Sequence, residues 1–353
     1  MAKIVVFGSG IMGTALAFPS AENGNEVHLV GTFLDREIIE SIQTTGVHPN
    51  LDLKVPESVQ AHQLEEAAEV IKDADVVMGG VNSFGVEWAG EQLAAMMQPG
   101  QHFLCVTKGM RADEDGNLKL LPDVYRSYFD PKLAESITWN AVVGPSIAGE
   151  VAVHHDTAVV FTGEDKEALE YLAGLYRTDY YHVWTSTDFV GHETGAATKN
   201  IYAFAAGFAD GLLRSQGKEN DRYVMYNMGA ALFAQGQKEL RSFVKFMGGK
   251  PETADGLGGV GDMFVTSMGG RNVKAGGYVG EGIPFSRVRD ELMKGVTLEG
   301  VAAINVVGAA LRKLTERGVV REEEYPLCRF LYSVVAEDAP LDIPWEKFFA
   351  DLS

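Results

Sequence analysis

Lys199 sits in the run Gly195-Ala196-Ala197-Thr198-Lys199-Asn200-Ile201-Tyr202. On a helix, Thr198, Ile201, Tyr202 and Ala205 surround it, and most of these are small or apolar. A lysine buried there is costly unless paired, and burial depresses its pKa toward the range where an amine exchanges protons near neutrality. Snorkelling of the side chain to solvent is the alternative, but the small neighbours favour close approach of a ligand. A partner is available in Gly258-Gly259-Val260-Gly261-Asp262. Asp262 could hold an ammonium, and Thr266, four residues on, shares its helical face. Arg271 and Asn272 follow Gly269-Gly270. The arginine offers a planar fork of donors for a phosphate, the asparagine an amide, and the glycines let backbone N–H groups approach the same anion.

Three further stretches carry polar groups at strand ends. In Val106-Thr107-Lys108-Gly109 a lysine follows an apolar strand, at the edge where open α/β sheets bind ligands. In Val143-Gly144-Pro145-Ser146 a strand runs into a turn; Ser146 could cap a helix or bring its backbone toward a ligand. Gly8-Ser9-Gly10-Ile11-Met12-Gly13 is G-x-G-x-x-G at a strand-to-helix turn. Gly8 permits the turn, Gly10 admits a pyrophosphate to the backbone, and Gly13 lets helix and strand pack closely. The helix N-terminus beyond it offers free N–H groups to phosphates. This predicts a dinucleotide. The next strand ends in Val30-Gly31-Thr32-Phe33-Leu34-Asp35-Arg36. Thr32 could bond a ribose hydroxyl or a phosphate, while Asp35 and Arg36 point opposite ways, so NAD and NADP both remain open.

These residues need a scaffold. Strands are expected at Ile4–Gly8, Glu26–Val30, Asp75–Val81, His102–Thr107, Thr138–Val143, Thr157–Thr162 and Tyr180–Trp184. Helical periodicity lies between them at Met12–Glu22, Asp35–Gln43, Gln63–Lys72, Phe84–Met97, Leu118–Phe129 and Lys166–Tyr176. The alternation predicts a Rossmann-like, doubly wound, mostly parallel α/β sheet. Beyond Thr187 strand signals stop and helical spacing takes over, with Arg222–Met247, Leu298–Arg317 and Glu323–Ala336 as long candidates. The expected division is a dinucleotide-binding domain over 1–187 and an all-helical, substrate-binding domain over 188–353. A chain of 353 residues also exceeds the roughly 250–300 at which single cores stop growing.

The 30 Lys+Arg against 49 Asp+Glu give a net charge of −19, which argues against nucleic acid or an anionic membrane surface as partner. Hydrophobic content of 46% with 22% charged residues excludes a disordered chain. Cys105 and Cys328 are isolated, so neither a disulfide framework nor a zinc site is expected, and a reducing cytoplasm suits them. The N-terminus opens directly on a strand, without a signal-peptide pattern, and no stretch approaches a membrane span. No His/Cys/carboxylate cluster has metal-ligand spacing.

Together the stretches resemble the soluble NAD(P)-dependent glycerol-3-phosphate dehydrogenases. The similarity runs along essentially the whole chain: the glycine turn, Lys108-Gly109, Gly144-Pro145-Ser146-Ile147-Ala148, Gly195-Ala196 through Lys199-Asn200, Gly259-Val260-Gly261-Asp262, Gly269-Gly270-Arg271-Asn272 and Leu298-Glu299-Gly300. The resemblance implies that Lys199 exchanges the proton at the substrate C2 oxygen, Lys108 helps polarise that oxygen, and Asp262 orients Lys199 with Thr266 nearby. It places the substrate at Lys108, Gly144, Ser146, Lys199, Asp262, Gly270, Arg271 and Asn272. The cofactor falls at Gly8 through Gly13, Thr32, Lys108, Ala148, Arg271 and Glu299. It implies a cytoplasmic homodimer that interconverts dihydroxyacetone phosphate and sn-glycerol 3-phosphate for phospholipid synthesis. Lys108, Lys199 and Arg271 would form a local positive focus in an acidic molecule. The chain departs from the family pattern at His192, at Asn82-Ser83-Phe84, and at Val273, which precedes Lys274. Two other readings remain: a two-domain dehydrogenase of another phosphorylated or acidic hydroxy compound, and a dinucleotide sensor without catalysis.

Overall fold

The computed structural model describes residues 1–218, 220 and 223–350. The chain divides into two compact units, Met1–Lys108 with Leu121–Phe189 and Gly109–Leu120 with Val190–Ser353.

The first unit is built on an eight-stranded sheet. Its strands are β1 (Lys3–Phe7), β2 (Glu26–Val30), β3 (Gln60–His62), β4 (Val76–Gly79), β5 (His102–Cys105), β6 (Thr138–Val143), β7 (Thr157–Gly163) and β8 (Tyr181–Ser186). They lie in the order β8-β7-β6-β5-β4-β1-β2-β3. All neighbouring pairs are parallel except β6 with β7. Strands such as Ile4-Val5-Val6-Phe7 are apolar throughout because helices cover both faces, and two separate hydrophobic clusters form there. Successive strands run outward from β1 to β3 and then restart on its other side at β4. This reversal opens a crevice outside the carboxyl ends of β1 and β4, where such sheets take ligands. The first helix, α1 (Ile11–Glu22), starts at that crevice; α2 (Arg36–Thr45) follows β2. The third strand escapes the sequence pattern because Gln60-Ala61-His62 is short and has no β-branched or aromatic residue.

Among the described residues, the second unit is helical apart from one hairpin. It contains α3 (Phe189–Ala206), α4 (Phe208–Ser215), α5 (Tyr226–Phe246), α6 (Asp262–Ser267), α7 (Arg271–Gly280), α8 (Glu299–Glu316) and α9 (Pro326–Glu337). Arg222, the expected start of the long helix, lies outside the described residues. The hairpin pairs Met110–Ala112 with Leu118–Leu120. It corrects the helix expected over Leu118–Phe129, which instead spans only Leu121–Arg126. The hairpin belongs with the second unit: Met110 and Leu120 enter its core. Lys313 Nζ donates to Glu114 O at 2.7 Å, and Arg317 Nη1 to Asp115 O at 2.8 Å. Asp113 and Asn117 close its loop through their side chains, a turn signal that the helical spacing of the later residues masks.

Two devices hold the helices that carry the candidate chemistry. Glu239 of α5 is buried, and its carboxylate accepts from Leu327 N at 2.7 Å and Cys328 N at 2.9 Å in the first turn of α9. It also accepts from Gln235 Nε2 at 2.7 Å and from the Tyr202 hydroxyl at 3.1 Å. Burial pushes this carboxyl up, and the four donors pull it back. Tyr202 lies one turn beyond Lys199 on α3, so the same carboxylate tethers the lysine helix. The second device is a crossing of bare backbones. A Cβ on Gly276 of α7 would lie 1.9 Å from Phe204 O, and one on Gly211 of α4 would lie 2.0 Å from Gly277 O. Only glycine lets α7 approach this closely, and the approach fixes where Arg271 and Asn272 begin. Gly276→Ala should therefore cost about 1–3 kcal/mol of stability through overpacking, measured by denaturant unfolding.

Candidate active site

In the first unit, glycines line both sides of the crevice. Gly8 follows β1 with φ +113°, and a Cβ there would meet Gly80 C at 2.8 Å. A Cβ on Gly80 would in turn meet Gly8 O at 2.8 Å, and one on Gly13 would meet Gly8 O at 2.7 Å. Gly10 differs: only Gly80 O lies within 4 Å of its Cβ position, so its exposed side can admit a large anion. The first N–H groups of α1 have no intrahelical partner and face the same end. This backbone cradle suits a pyrophosphate, so the expected dinucleotide fits the residues present. Gly80 was not singled out from the sequence; the Gly79-Gly80 pair closing an apolar strand was its signal.

Two side chains pin the Ser9 peptide. His48 is fully buried. Its Nδ1 accepts from Asn50 N and Leu51 N at 3.2 and 3.1 Å, which leaves Nε2–H to donate to Ser9 O at 2.9 Å. Asp35 Oδ2 receives Ser9 N at 3.4 Å. Sequence reasoning missed His48, because nothing local ties it to a turn 39 residues away. Thr32 is committed to its own loop, donating its hydroxyl to Asp35 at 2.8 Å and accepting from Leu34 N at 3.2 Å.

Farther along the carboxyl edge, a small cavity is lined by Met12, Val106, Lys108, Val142, Val143, Gly144, Ser146 and Val159. Half-buried Lys108 donates from Nζ to Gly144 O at 3.3 Å. Lys108, Gly144, Ser146 and Met12 are thus brought together, as their places at the ends of neighbouring strands require. Ala148 begins the short helix that follows. Asn82, one of the departures, accepts Phe84 N at 3.0 Å and caps the turn after β4.

In the second unit, Lys199 is 6% exposed and Asp262 1%. The Lys199 ammonium donates to Asp262 Oδ1 and, at 3.0 Å, to Thr266 Oγ1. The Thr266 hydroxyl in turn donates to the backbone oxygen of Asp262 at 2.6 Å. The small residues before Lys199 make this possible. A Cβ on Gly195 would meet Gly258 O at 2.9 Å, so bare helix surface lets the glycine segment lie against α3. That segment makes a π-helical turn over Leu257–Gly261, which delivers Asp262 at the start of α6. His192 and Glu193 are buried on the same helix.

Gly270 has φ +96° and caps α7. Arg271, at the first position of α7, is exposed, and its guanidinium makes no ion pair among the described residues. Asn272 turns inward. Its Oδ1 accepts Gly300 N at 3.0 Å in the first turn of α8, which leaves its amide N–H groups as donors. Glu299, the preceding residue, is half-buried. The second unit therefore gathers Lys199, Asp262 and Thr266 in one cluster, and joins Asn272 to the Glu299-Gly300 turn.

Removing one member of a buried ion pair leaves the other uncompensated, at about 3–5 kcal/mol, whereas replacing both with apolar groups is often nearly neutral. Asp262→Leu alone should destabilise by that amount. Adding Lys199→Met should restore most of the loss, as read by the unfolding midpoint of each variant.

The model for the N-terminus of NAD-dependent glycerol-3-phosphate dehydrogenase matches residues 3–169, and the model for its C-terminus matches residues 188–345. The NAD(P)+ glycerol-3-phosphate dehydrogenase of Desulfitobacterium hafniense is 34% identical over 332 residues, 92% of this chain and 86% of its own. The NADP(+)-dependent glycerol-3-phosphate dehydrogenase of Archaeoglobus fulgidus is 32% identical over 290 residues, 82% of this chain and 83% of its own. The crystal structure of the Coxiella burnetii glycerol-3-phosphate dehydrogenase has a TM-score of 0.79, covering 98% of this chain and 97% of that one at 25% identity. With both halves matched, the chain belongs to the NAD-dependent glycerol-3-phosphate dehydrogenase family.

Proposed function

We propose that the chain catalyses the reversible, NAD(P)-linked interconversion of sn-glycerol 3-phosphate and dihydroxyacetone phosphate. The observation that carries this reading is the buried Lys199 ammonium, held by Asp262 and Thr266 within a family whose named members perform this reaction. When bound, the nicotinamide supplies the hydride for reduction and receives it in oxidation. As hydride reaches C2 of the ketone, its oxygen gains negative charge. Lys199 Nζ donates a proton to that oxygen and becomes a neutral amine, to be reprotonated from solvent. Asp262 stabilises the ammonium and keeps it aimed; Thr266 fixes it from a second side. Arg271 receives the substrate phosphate, joined by backbone N–H groups at Gly270 and by the amide of Asn272. Binding energy at this remote group then orients the reacting carbon.

On the first unit, the glycine turn from Gly8 to Gly13 takes the pyrophosphate. Lys108 and Ala148 are assigned to the nicotinamide side, Gly144 and Ser146 to the substrate, and Glu299 and Arg271 to further cofactor contacts. The reading extends to a cytoplasmic homodimer that supplies glycerol phosphate for phospholipid synthesis. The two free, buried cysteines suit a reducing compartment, and no helix of the described residues is long and apolar enough to cross a membrane.

Dihydroxyacetone phosphate reduction, followed by loss of the reduced-nicotinamide absorbance, tests the activity. Lys199→Ala should lower kcat by about 10²–10⁴-fold, the usual worth of a positioned acid, and near-normal turnover would remove Lys199 from that role. Arg271→Ala should raise KM for the ketone phosphate by roughly 10- to 100-fold, as expected for losing a charged hydrogen-bond partner of about 1.5–3 kcal/mol, with a smaller change in kcat.

A further inference from the structure

Relatives are named for NAD(P)+ or for NADP(+), so family membership does not choose between the two dinucleotides. We propose that Asp35 makes the adenosine end of this site selective for NAD(H) over NADP(H). The inference rests on the dinucleotide-linked reading above and concerns the ribose that adjoins the pyrophosphate.

Asp35 lies between the two backbone segments that such a ribose must touch. Its Oδ2 accepts from Thr32 N at 2.9 Å and from the Thr32 hydroxyl at 2.8 Å, at the end of β2. The same oxygen receives Ser9 N at 3.4 Å, one residue before the cap of α1 where the pyrophosphate docks. The carboxylate is therefore held in place from both sides. Oδ1 makes no hydrogen bond among the described residues and remains an acceptor. A carboxylate in this position can receive the 2′- and 3′-hydroxyls of an unmodified ribose. It repels a 2′-phosphate, which has only acceptor oxygens to offer and carries about −1.5 to −2 charges near neutrality.

The cation that could offset this repulsion is directed elsewhere. Arg36 forms an ion pair with Glu65, at the turn after β3. Thr32 offers no compensating donor, since its hydroxyl proton goes to Asp35. The remaining loop residues, Phe33 and Leu34, are apolar and exposed, and Phe33 packs edge-on against Trp88 at 5.1 Å. They present an apolar face beside the carboxylate and no charge for a phosphate.

Direct binding of NADH and NADPH to the full chain, by calorimetry without dihydroxyacetone phosphate, tests this independently of turnover. The unaltered protein should bind NADH at least tenfold more tightly than NADPH. Asp35→Asn keeps a side-chain oxygen able to accept from Thr32 N while removing the charge, and it should shrink that ratio at least tenfold, mainly by tightening NADPH. Arg36→Ala should shift NADPH affinity by less than threefold. Equal or tighter NADPH binding by the unaltered protein, an unchanged ratio in Asp35→Asn, or a tenfold loss of NADPH affinity in Arg36→Ala would each overturn the proposal. NADH-selective binding without turnover of the ketone phosphate would refute the activity while supporting this assignment. Binding of neither nucleotide would overturn both.

Discussion

The buried pair of Lys199 and Asp262 is the interaction that the second unit is organised around. Two charges withdrawn from water are tolerable only when each is met closely by the other and by further hydrogen bonds. That requirement reaches well beyond the two residues. The helix bearing Lys199 must be bare on one face so that the glycine segment can lie against it. The segment must make a wide turn to bring its carboxylate inward, and Thr266 must take up a remaining donor of the ammonium. The run of small residues before Lys199, unremarkable as core composition, is the consequence of this electrostatic constraint.

Close approach of bare backbone is the common solution in both units. In the first, glycine at the ends of two adjacent strands keeps the switch-point crevice open to the main chain, while a buried histidine and an aspartate hold the turn between them. In the second, helices cross with no side chain between them, and the crossing sets the start of the helix that presents Arg271. Precision at the ligand-facing ends is obtained by rigid packing behind them. Glu239 works in the same way, tying three helices through one carboxylate near the root of the lysine helix.

Much of this was legible in the sequence. The glycine turn, the lysines at a strand end and on an apolar helix, and the Asp262–Thr266 spacing all depend on local pattern, and local pattern is what a sequence displays. Besides Gly80, three features were not. Strand Gln60–His62 is recruited by pairing with β2 rather than by its own composition. His48 acts on a turn far away along the chain. The segment Leu118–Leu120 has helix-compatible spacing, yet it becomes a strand because Met110–Ala112 and a tight Asp-bearing loop offer it a partner. The two strands are cases of tertiary pairing overriding local preference, and His48 is a long-range contact that no local pattern announces. The role of Asp35 was undecided for a related reason: sequence shows a carboxylate and a guanidinium side by side, and only the folded loop shows which of them turns toward the glycine turn.

The hairpin after Lys108 has a consequence for how the molecule can be made and divided. The polypeptide passes between the two units three times, at 108–109, 120–121 and 189–190. A piece beginning at residue 190 would lack the ribbon that places Met110 and Leu120 in its core and accepts from Lys313 and Arg317 at the end of α8. During synthesis that ribbon emerges long before the helices it packs on, and it must wait as an unpartnered two-stranded element, which is marginal alone in water. No single crossover between genes, and no single proteolytic cut, divides the chain into two pieces that each hold one whole unit.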